Sequence, residues 1–357
     1  MALQVKSQDG MIAARHRSLS WRRWQKFKKN RRGFYSLLLF SLLFVLSLFA
    51  EVFSNDTPFL IHYEGQWYFP LFKAYPETVF GGDFETEADY RDPYLLEKLT
   101  APGNKIYFPL NPYSSNSIDL SLGEAVPAPP SKTHLLGTDD RGRDVLARLI
   151  YGFRLSVLFG FALTLIGTLS GIIAGAAQGY FGGRTDLIFQ RFIEIWSAMP
   201  ELYLLIIFAS IFKPSVLLLL ILLSLFGWMG LADYVRAEFL KGRNLDYVKA
   251  AKALGVGNLT IMRRHLLPNS MTPVITFLPF RMSGAIVALT SLDFLGLGVP
   301  ADTPSLGELL AQGKANIEAW WLSLSTFIVL VGTLILLIFI GEALREAFDP
   351  RRQAASS

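Results

Sequence analysis

Apolar residues in this chain gather in long runs separated by short polar connections. Six runs stand out, at 34–53, 155–177, 187–212, 216–231, 272–292 and 322–340. A helix needs about 20 apolar residues to cross the hydrocarbon of a bilayer, so each run predicts a membrane span. The third is interrupted by charge and by Pro200. The fourth is short, but Ala232, Tyr234 and Val235 extend it. The pattern divides the chain into a basic N-terminal segment (1–33), a first span (34–53), an insert (54–152), a five-helix core (153–341) with a long connection at 236–270, and a tail (342–357). The expected fold class is all-α integral membrane, with six transmembrane helices and a long insert between the first two.

A polar insert of this length without structure of its own would be unusual. It is rich in Tyr, Pro and Gly and carries the aromatic clusters Trp67-Tyr68-Phe69-Pro70 and Tyr107-Phe108-Pro109. The expectation is a small folded lid with strands near 105–110 and 117–122 that touches a partner. A passive spacer is the plainer alternative.

Composition supports the membrane reading. Of 357 residues 52% are hydrophobic, and the 18% that are charged are bunched between the apolar runs. The net charge of +5 does not indicate nucleic-acid binding, because the basic residues flank spans and so set orientation. The stretch from Arg15 to Arg32 is crowded with Lys and Arg, which places the N-terminus in the cytoplasm and makes 34–53 an uncleaved anchor. Six spans return the C-terminus to the same side. The connections 179–186 and 236–269 and the tail residues Arg345, Arg351 and Arg352 are basic, whereas the short outward connections carry only Lys213 and Lys314 as basic residues. The absence of cysteine excludes disulfides, thiolate catalysis and Cys-ligated zinc. His16, His62, His134 and His265 show no metal-ligand spacing.

Within the spans, Gly167, Gly171, Gly175 and Gly179 recur every four residues on one helix face, where backbones can approach closely. The contact is either within the chain or against a pore or partner subunit. Charges inside a span are costly and mark function by default. Arg191 and Glu194 are spaced to pair on one face. Pro200 kinks its helix. Glu201 and Arg281 are candidate pathway-lining residues. They either pair with each other or meet the amino group and carboxylate of a substrate.

The connection 236–270 is the most informative stretch. Asp246 is placed to cap a helix, and Ala250, Ala251, Ala253 and Leu254 favour one. Gly255 suits the left-handed position that ends it. Asn258 is placed to cap a second helix and Pro268 to close it. A small basic helix of this kind fits a groove on another protein. Lys249-Ala250-Ala251, Gly255 and Leu267-Pro268 resemble the EAA loop of ATP-binding-cassette (ABC) importer permeases, with Lys249 where Glu is usual. The stretch Gly137-Thr138-Asp139-Asp140-Arg141-Gly142-Arg143-Asp144 resembles the GTDxxGRD segment of the C-type permease of dipeptide and oligopeptide importers. Ser291 to Gly298 with Thr303-Pro304-Ser305-Leu306-Gly307 is similar to that family's segment after the fifth span. The resemblance covers about residues 20–350. The insert around 63–70 and 89–93 looks like the Yej-type branch, implicated in uptake of oligopeptides and microcin C.

The resemblance implies a type I ABC importer permease in the bacterial inner membrane, working by alternating access. Its partners would be a homologous second permease, ABC ATPase subunits, a periplasmic peptide-binding protein and the lipid bilayer, with no nucleic acid. Asp246, Tyr247, Lys249, Ala250, Ala251, Leu254, Gly255, His265 and Pro268 would form the ATPase-coupling surface. No cofactor is expected in the chain itself. The nearest approach to a phosphate-binding loop, Gly307 to Gly313-Lys314-Ala315, has the wrong gap and no hydroxyl, so ATP would be hydrolysed by the partners. Two alternatives make different demands. An ion-gradient-driven secondary transporter calls for inverted repeats with matched broken helices, and Pro200 and Pro279 give no convincing repeat. A periplasmic enzyme calls for a nucleophile–base pair or metal cluster, which the insert does not supply.

Overall fold

The computed structural model describes residues 19–349, except Ser121 and Glu124. Arg15, Arg351 and Arg352, expected to mark the cytoplasmic side, lie outside the described residues. A basic helix α1 (Leu19–Lys29) leads through Asn30 into α2 (Arg31–Leu48). The Asn30 side chain accepts from the Gly33 amide at 3.1 Å, satisfying one of the orphan donors of the helix start. A further turn, Ala50–Phe53, carries the chain to the insert.

The insert is folded. Strand β1 (Leu60–Tyr63) pairs antiparallel with β2 (Gln66–Tyr68) and with β3 (Lys105–Tyr107), which falls within the strand expected at 105–110. Glu64 and Gly65 close the β1–β2 hairpin with φ of 49° and 80°, the positive angles that a tight two-residue hairpin turn needs. Ile61 on the sheet packs with Phe80, Ala88 and Tyr90, and with Leu95 and Leu99 of α3 (Pro93–Leu99). The strand expected at 117–122 is not formed. Among the described residues of that stretch only Ile118 makes a bridge, to Arg143. The polar groups there are used elsewhere: Ser117 Oγ donates to Asp56 at 2.6 Å, and Asp119 bonds His134 at 3.2 Å.

The core follows as α4 (Val145–Phe181), α5 (Gly183–Ser197), α6 (Glu201–Ile211), α7 (Val216–Ser224), α8 (Met229–Gly242), α9 (Asp246–Ala253), α10 (Leu267–Phe294), α11 (Leu306–Ala315) and α12 (Trp320–Phe348). Among the described residues five helical stretches are long and apolar enough to cross a membrane, or six if the pair α5–α6, bent by 68°, is one span. The helix α4 starts at Val145, well before the apolar run at 155, because Asp144 caps it by accepting from the Ala147 amide at 2.8 Å. The run expected as a fourth span is broken: turns at 225–228 separate α7 from α8.

The glycine stripe decides how these helices run. An added Cβ at Gly171 would lie 2.9 Å from the Trp228 carbonyl. At Gly175 it would lie 2.8 Å from Val235 Cβ, and at Gly179 2.6 Å from the Arg236 carbonyl. Both lists of residues ascend together, so α8 lies against α4 in parallel, within the chain. The helix α7 packs near Phe159 and Leu163 through Leu219, Leu222 and Leu223. Phe159 to Gly179 is about 30 Å of helix at 1.5 Å per residue, the thickness of the hydrocarbon core. Between the end of α4 and the start of α7 the chain therefore travels back over that distance. The pair α5–α6 makes the return, antiparallel to α7–α8. Asp186 meets Arg236, Trp196 donates to the Leu225 carbonyl at 3.2 Å, and Leu205 packs on Leu222.

Gly175→Leu should lower the stability of the purified chain by about 1–3 kcal/mol through overpacking, read as a lower detergent melting temperature. Gly332→Ala, where an added methyl group has nothing within 4 Å, should leave it unchanged.

Candidate functional site

Three assemblies carry chemistry: a buried polar clasp beside the insert, a cavity at broken helices, and an exposed short helix at the opposite end of α4.

The clasp joins the 137–144 and 291–307 motifs, which lie far apart in sequence. Asp139, Asp144, Arg143 and Arg148 are buried, Arg148 at 0% exposure. Arg143 Nε donates to Asp139 Oδ2 at 2.6 Å, and its Nη2 reaches Glu308 of α11 at 3.2 Å. Arg148 also donates to Glu308, and to the Ser115 carbonyl at 3.0 Å. Asp293 accepts from Ser305 and from the Val299 amide, the latter at 2.9 Å. Charges taken out of water are tolerated only when paired and hydrogen-bonded, and here insert, α4 and α11 supply one another's partners. Beside the clasp, the buried His134 ring sits between Asp144, at 2.9 Å, and Asp119, at 3.2 Å, with the Tyr113 ring tilted against it, centroids 4.2 Å apart. Burial opposes the charged ring, but the bonds to Asp144 and Asp119 outweigh it, so its pKa is raised above 6.5.

The cavity, of about 580 Å³, is lined by both expected pathway residues, Glu201 and Arg281, together with Thr164, Pro200, Phe226 and Gly227. Two irregular backbone stretches face it, the Pro200 break before α6 and the 225–228 break before α8. In a membrane such stretches occur where they are buried in protein or line a water-filled space. The expected pairing of Glu201 with Arg281 is not made. Arg281 Nη2 instead donates to the Gly227 carbonyl at 2.7 Å, a group released by the break, and among the described residues Glu201 forms no ion pair. Thr164, Phe226 and Gly227 were not picked out from sequence. A glycine between two large aromatics was the available signal, hidden inside an apolar run. The expected Arg191–Glu194 pair forms at 2.5 Å between exposed groups, where it contributes little.

At the far end of α4, α9 projects from the surface. Val248 and the expected site residue Ala251 are its buried anchors, packed with Tyr180, Phe239, Ile261 and Leu266. Asp246, Tyr247, Lys249, Ala250, Leu254 and Gly255 face outward, Leu254 at 83% exposure. Gly255 adopts φ 76°, as expected. Its amide bonds the Lys252 carbonyl at 3.0 Å and the Val256 amide bonds the Ala251 carbonyl at 3.0 Å, the paired bonds of a Schellman ending.

Three expectations here are corrected. Leu245, not Asp246, is the N-cap; Asp246 lies one position later, within 3.6 Å of Lys249, where a negative charge still favours the helix dipole. Asn258 does not cap with its side chain, which accepts from Tyr180 Oη at 2.7 Å. Pro268 does not close a second helix. It stands in the first turn of α10, after a π-helical stretch Ile261–Leu266. That wider turn accommodates a residue with no amide hydrogen to donate. His265 lies in the π stretch, its ring 6.4 Å from Tyr247, whose hydroxyl accepts from Asn269 at 3.3 Å.

Known proteins resemble the chain over most of its length. Residues 167–354 match the family "Binding-protein-dependent transport system inner membrane component". The chain is 52% identical over 330 residues to the inner membrane ABC transporter permease protein YejE of Escherichia coli, covering 92% of this chain and 96% of that protein. It is 50% identical over 355 residues to the peptidoglycan transport system permease protein YejE of Agrobacterium fabrum, covering 93% of each. It is 37% identical over 242 residues to the oligopeptide transport system permease protein OppC of Lactococcus lactis, covering 67% of this chain and 82% of that protein.

Stability should fall as pH rises through the folded-state value of His134. A raised histidine pKa contributes fully below the unfolded value of about 6.5 and is lost above the folded one. Melting temperatures of the purified chain from acid to alkaline pH should show this decline, and His134→Gln should flatten it.

Proposed function

The chain belongs to the family of inner-membrane components of binding-protein-dependent transport systems and is an ABC importer permease subunit of the Yej type; from this we propose that it forms half of a pathway carrying oligopeptides, microcin C-like peptides among them, across the bacterial inner membrane. The relatives are named for oligopeptide and peptidoglycan transport, and what such cargoes share is a peptide. An ion-gradient-driven transporter is not favoured, since the relatives are ABC permeases.

The fold we infer has six spans and the type I importer arrangement. The parallel contact of α4 with α8 supports that number, because two neighbouring parallel spans need a return crossing between them and α5–α6 supplies it. Termini in the cytoplasm and the insert outside agree with that count and with the basic connections.

The observation that carries the mechanism is α9. It is a short helix with a fixed ending, anchored by Val248 and Ala251 on the ends of α4 and α8 and on the π-helical stretch Ile261–Leu266, with Tyr247, Lys249, Ala250, Leu254 and Gly255 turned outward. This exposure and anchoring support a coupling helix that seats in an ATPase subunit, with ATP hydrolysed there and no cofactor needed in this chain. His265, whose ring lies 6.4 Å from that of Tyr247, and Pro268 complete the surface. When two ATPase subunits close, the coupling helices of this chain and of a second permease approach. The spans then shift as bodies and expose the cavity to alternate sides. A periplasmic peptide-binding protein delivers cargo at the insert, and Glu201 and Arg281 meet the charged ends of the peptide in transit.

In detergent, the native chain co-expressed with its permease partner should retain the ATPase subunit, and Gly255→Arg at equal expression should lose it. Equal retention would move the dock elsewhere on the surface, and no retention by either would remove ATP coupling. Glu201→Gln should keep the ATPase subunit bound while peptide uptake by cells falls about tenfold, equivalent to about 1.4 kcal/mol.

A further inference from the structure

The helix α1 plays no part in the pathway, the clasp or the coupling surface, yet its composition is the most biased in the chain. Its eleven residues, Leu-Ser-Trp-Arg-Arg-Trp-Gln-Lys-Phe-Lys-Lys, hold five basic residues and no acidic one, and Arg31 and Arg32 follow directly. Asn30 alone separates α1 from the membrane-spanning α2, so α1 sits where hydrocarbon gives way to headgroups.

One side of α1 is fixed to the protein. Phe27, 2% exposed, packs on Ala343 and Ala347 of α12. The Arg23 guanidinium lies over the Phe348 ring at 4.4 Å, and Asn30 donates to Glu346 at 2.9 Å. The Lys26 ammonium is buried against the protein as well, and the two tryptophans and the last two lysines are outward. Trp21 is 39% exposed and Trp24 43%, with the Lys28 ammonium 5.3 Å from the Trp24 ring. Lys28 and Lys29 are exposed as well. The acidic residues at the adjoining end of α12 are Glu342, Glu346 and Asp349, outnumbered by the basic residues of 22–32. Tryptophans take the headgroup level because an apolar ring with a polar N–H suits that boundary. Lysines beside them attract negative headgroups.

We propose that α1 is an interfacial helix that binds anionic phospholipid headgroups of the leaflet where the first span begins. It ties the bundle to the membrane surface through Trp21 and Trp24 in the acyl–headgroup boundary and through Lys28 and Lys29 on lipid phosphates. The occupant is a lipid rather than another protein because the helix is joined to a span by one residue and carries charge of the sign the anionic leaflet attracts.

The test uses the full chain purified in detergent and titrated with fluorescent phosphatidylglycerol, phosphatidylcholine or inorganic phosphate as competitor. The variant changes Lys28 and Lys29 to Gln and keeps Arg31 and Arg32, so that topology is preserved. The native chain should bind phosphatidylglycerol at least about tenfold better than phosphatidylcholine, and the variant should lose that preference. Equal binding of the two lipids, or a preference unchanged in the variant, overturns the proposal. Competition by free phosphate as effective as by the lipid overturns it in favour of an anion site. Loss of ATPase retention in the variant with lipid preference intact overturns it in favour of a protein contact. Should the variant fail to accumulate, a native-chain preference that survives ~0.5 M salt, where exposed charges are screened, overturns it equally.

Discussion

The close contact of α4 with α8 is the interaction on which the other parts depend. Lipid tails are as apolar as leucine, so helices in a membrane gain little from hydrophobicity alone and rely on packing that small residues permit. Gly171, Gly175 and Gly179 let the backbone of α8 lie close on α4, and Gly167 faces the Gly227 carbonyl in the break before α8. That contact fixes the direction of α8 and obliges the chain to return between them. It also brings the end of α8 beside the end of α4, where α9 needs both as its base. The return segment is the one that bends at Pro200, so the cavity too is a consequence of this pairing.

The clasp shows how charge is admitted at the other end of α4. Arg143 and Arg148 would be prohibitive if buried alone, and removing one partner of a buried pair costs about 3–5 kcal/mol. Here Asp139 and Glu308 meet both arginines, and the carbonyls of Ala301, Ser115 and Thr303 take further donors. The motifs at 137–144 and 291–307 thus make a joint between the insert and the membrane helices. Its energy depends on the state of His134 as well as on shape.

Much of this was legible in the residues because the physics involved is local. Hydrophobic run length marks spans, Gly255 marks the end of α9, and the glycine spacing marks a close helix face. What stayed hidden depends on distant partners. Nothing near Gly167–Gly179 says that Trp228 to Phe239 is the surface they meet. Arg148 and Arg154 read as the end of a membrane segment, whereas α4 continues through them because Glu308 and Glu51 neutralise them. The break at 225–228 is invisible to hydropathy, since Phe226 and Trp228 are as apolar as a span requires. Pro268 misleads for a local reason: the π-helical stretch before it makes room for a residue with no amide hydrogen, so the chain stays helical through it.

The helix α4 extends unbroken for 37 residues, about 55 Å at 1.5 Å per residue. It reaches from the clasp to the base of α9, while the two segments lying alongside it are each interrupted near the cavity. Stiffness is therefore distributed unequally. A load applied at α9 passes along α4 as along a strut, with little bending, and arrives at the insert as a tilt. The compliant places are the Pro200 joint and the 225–228 turn, where the hydrogen-bond ladder is already open. Strain from the α9 end is thus released at the cavity walls, so the segments that yield under it are those that border the cavity.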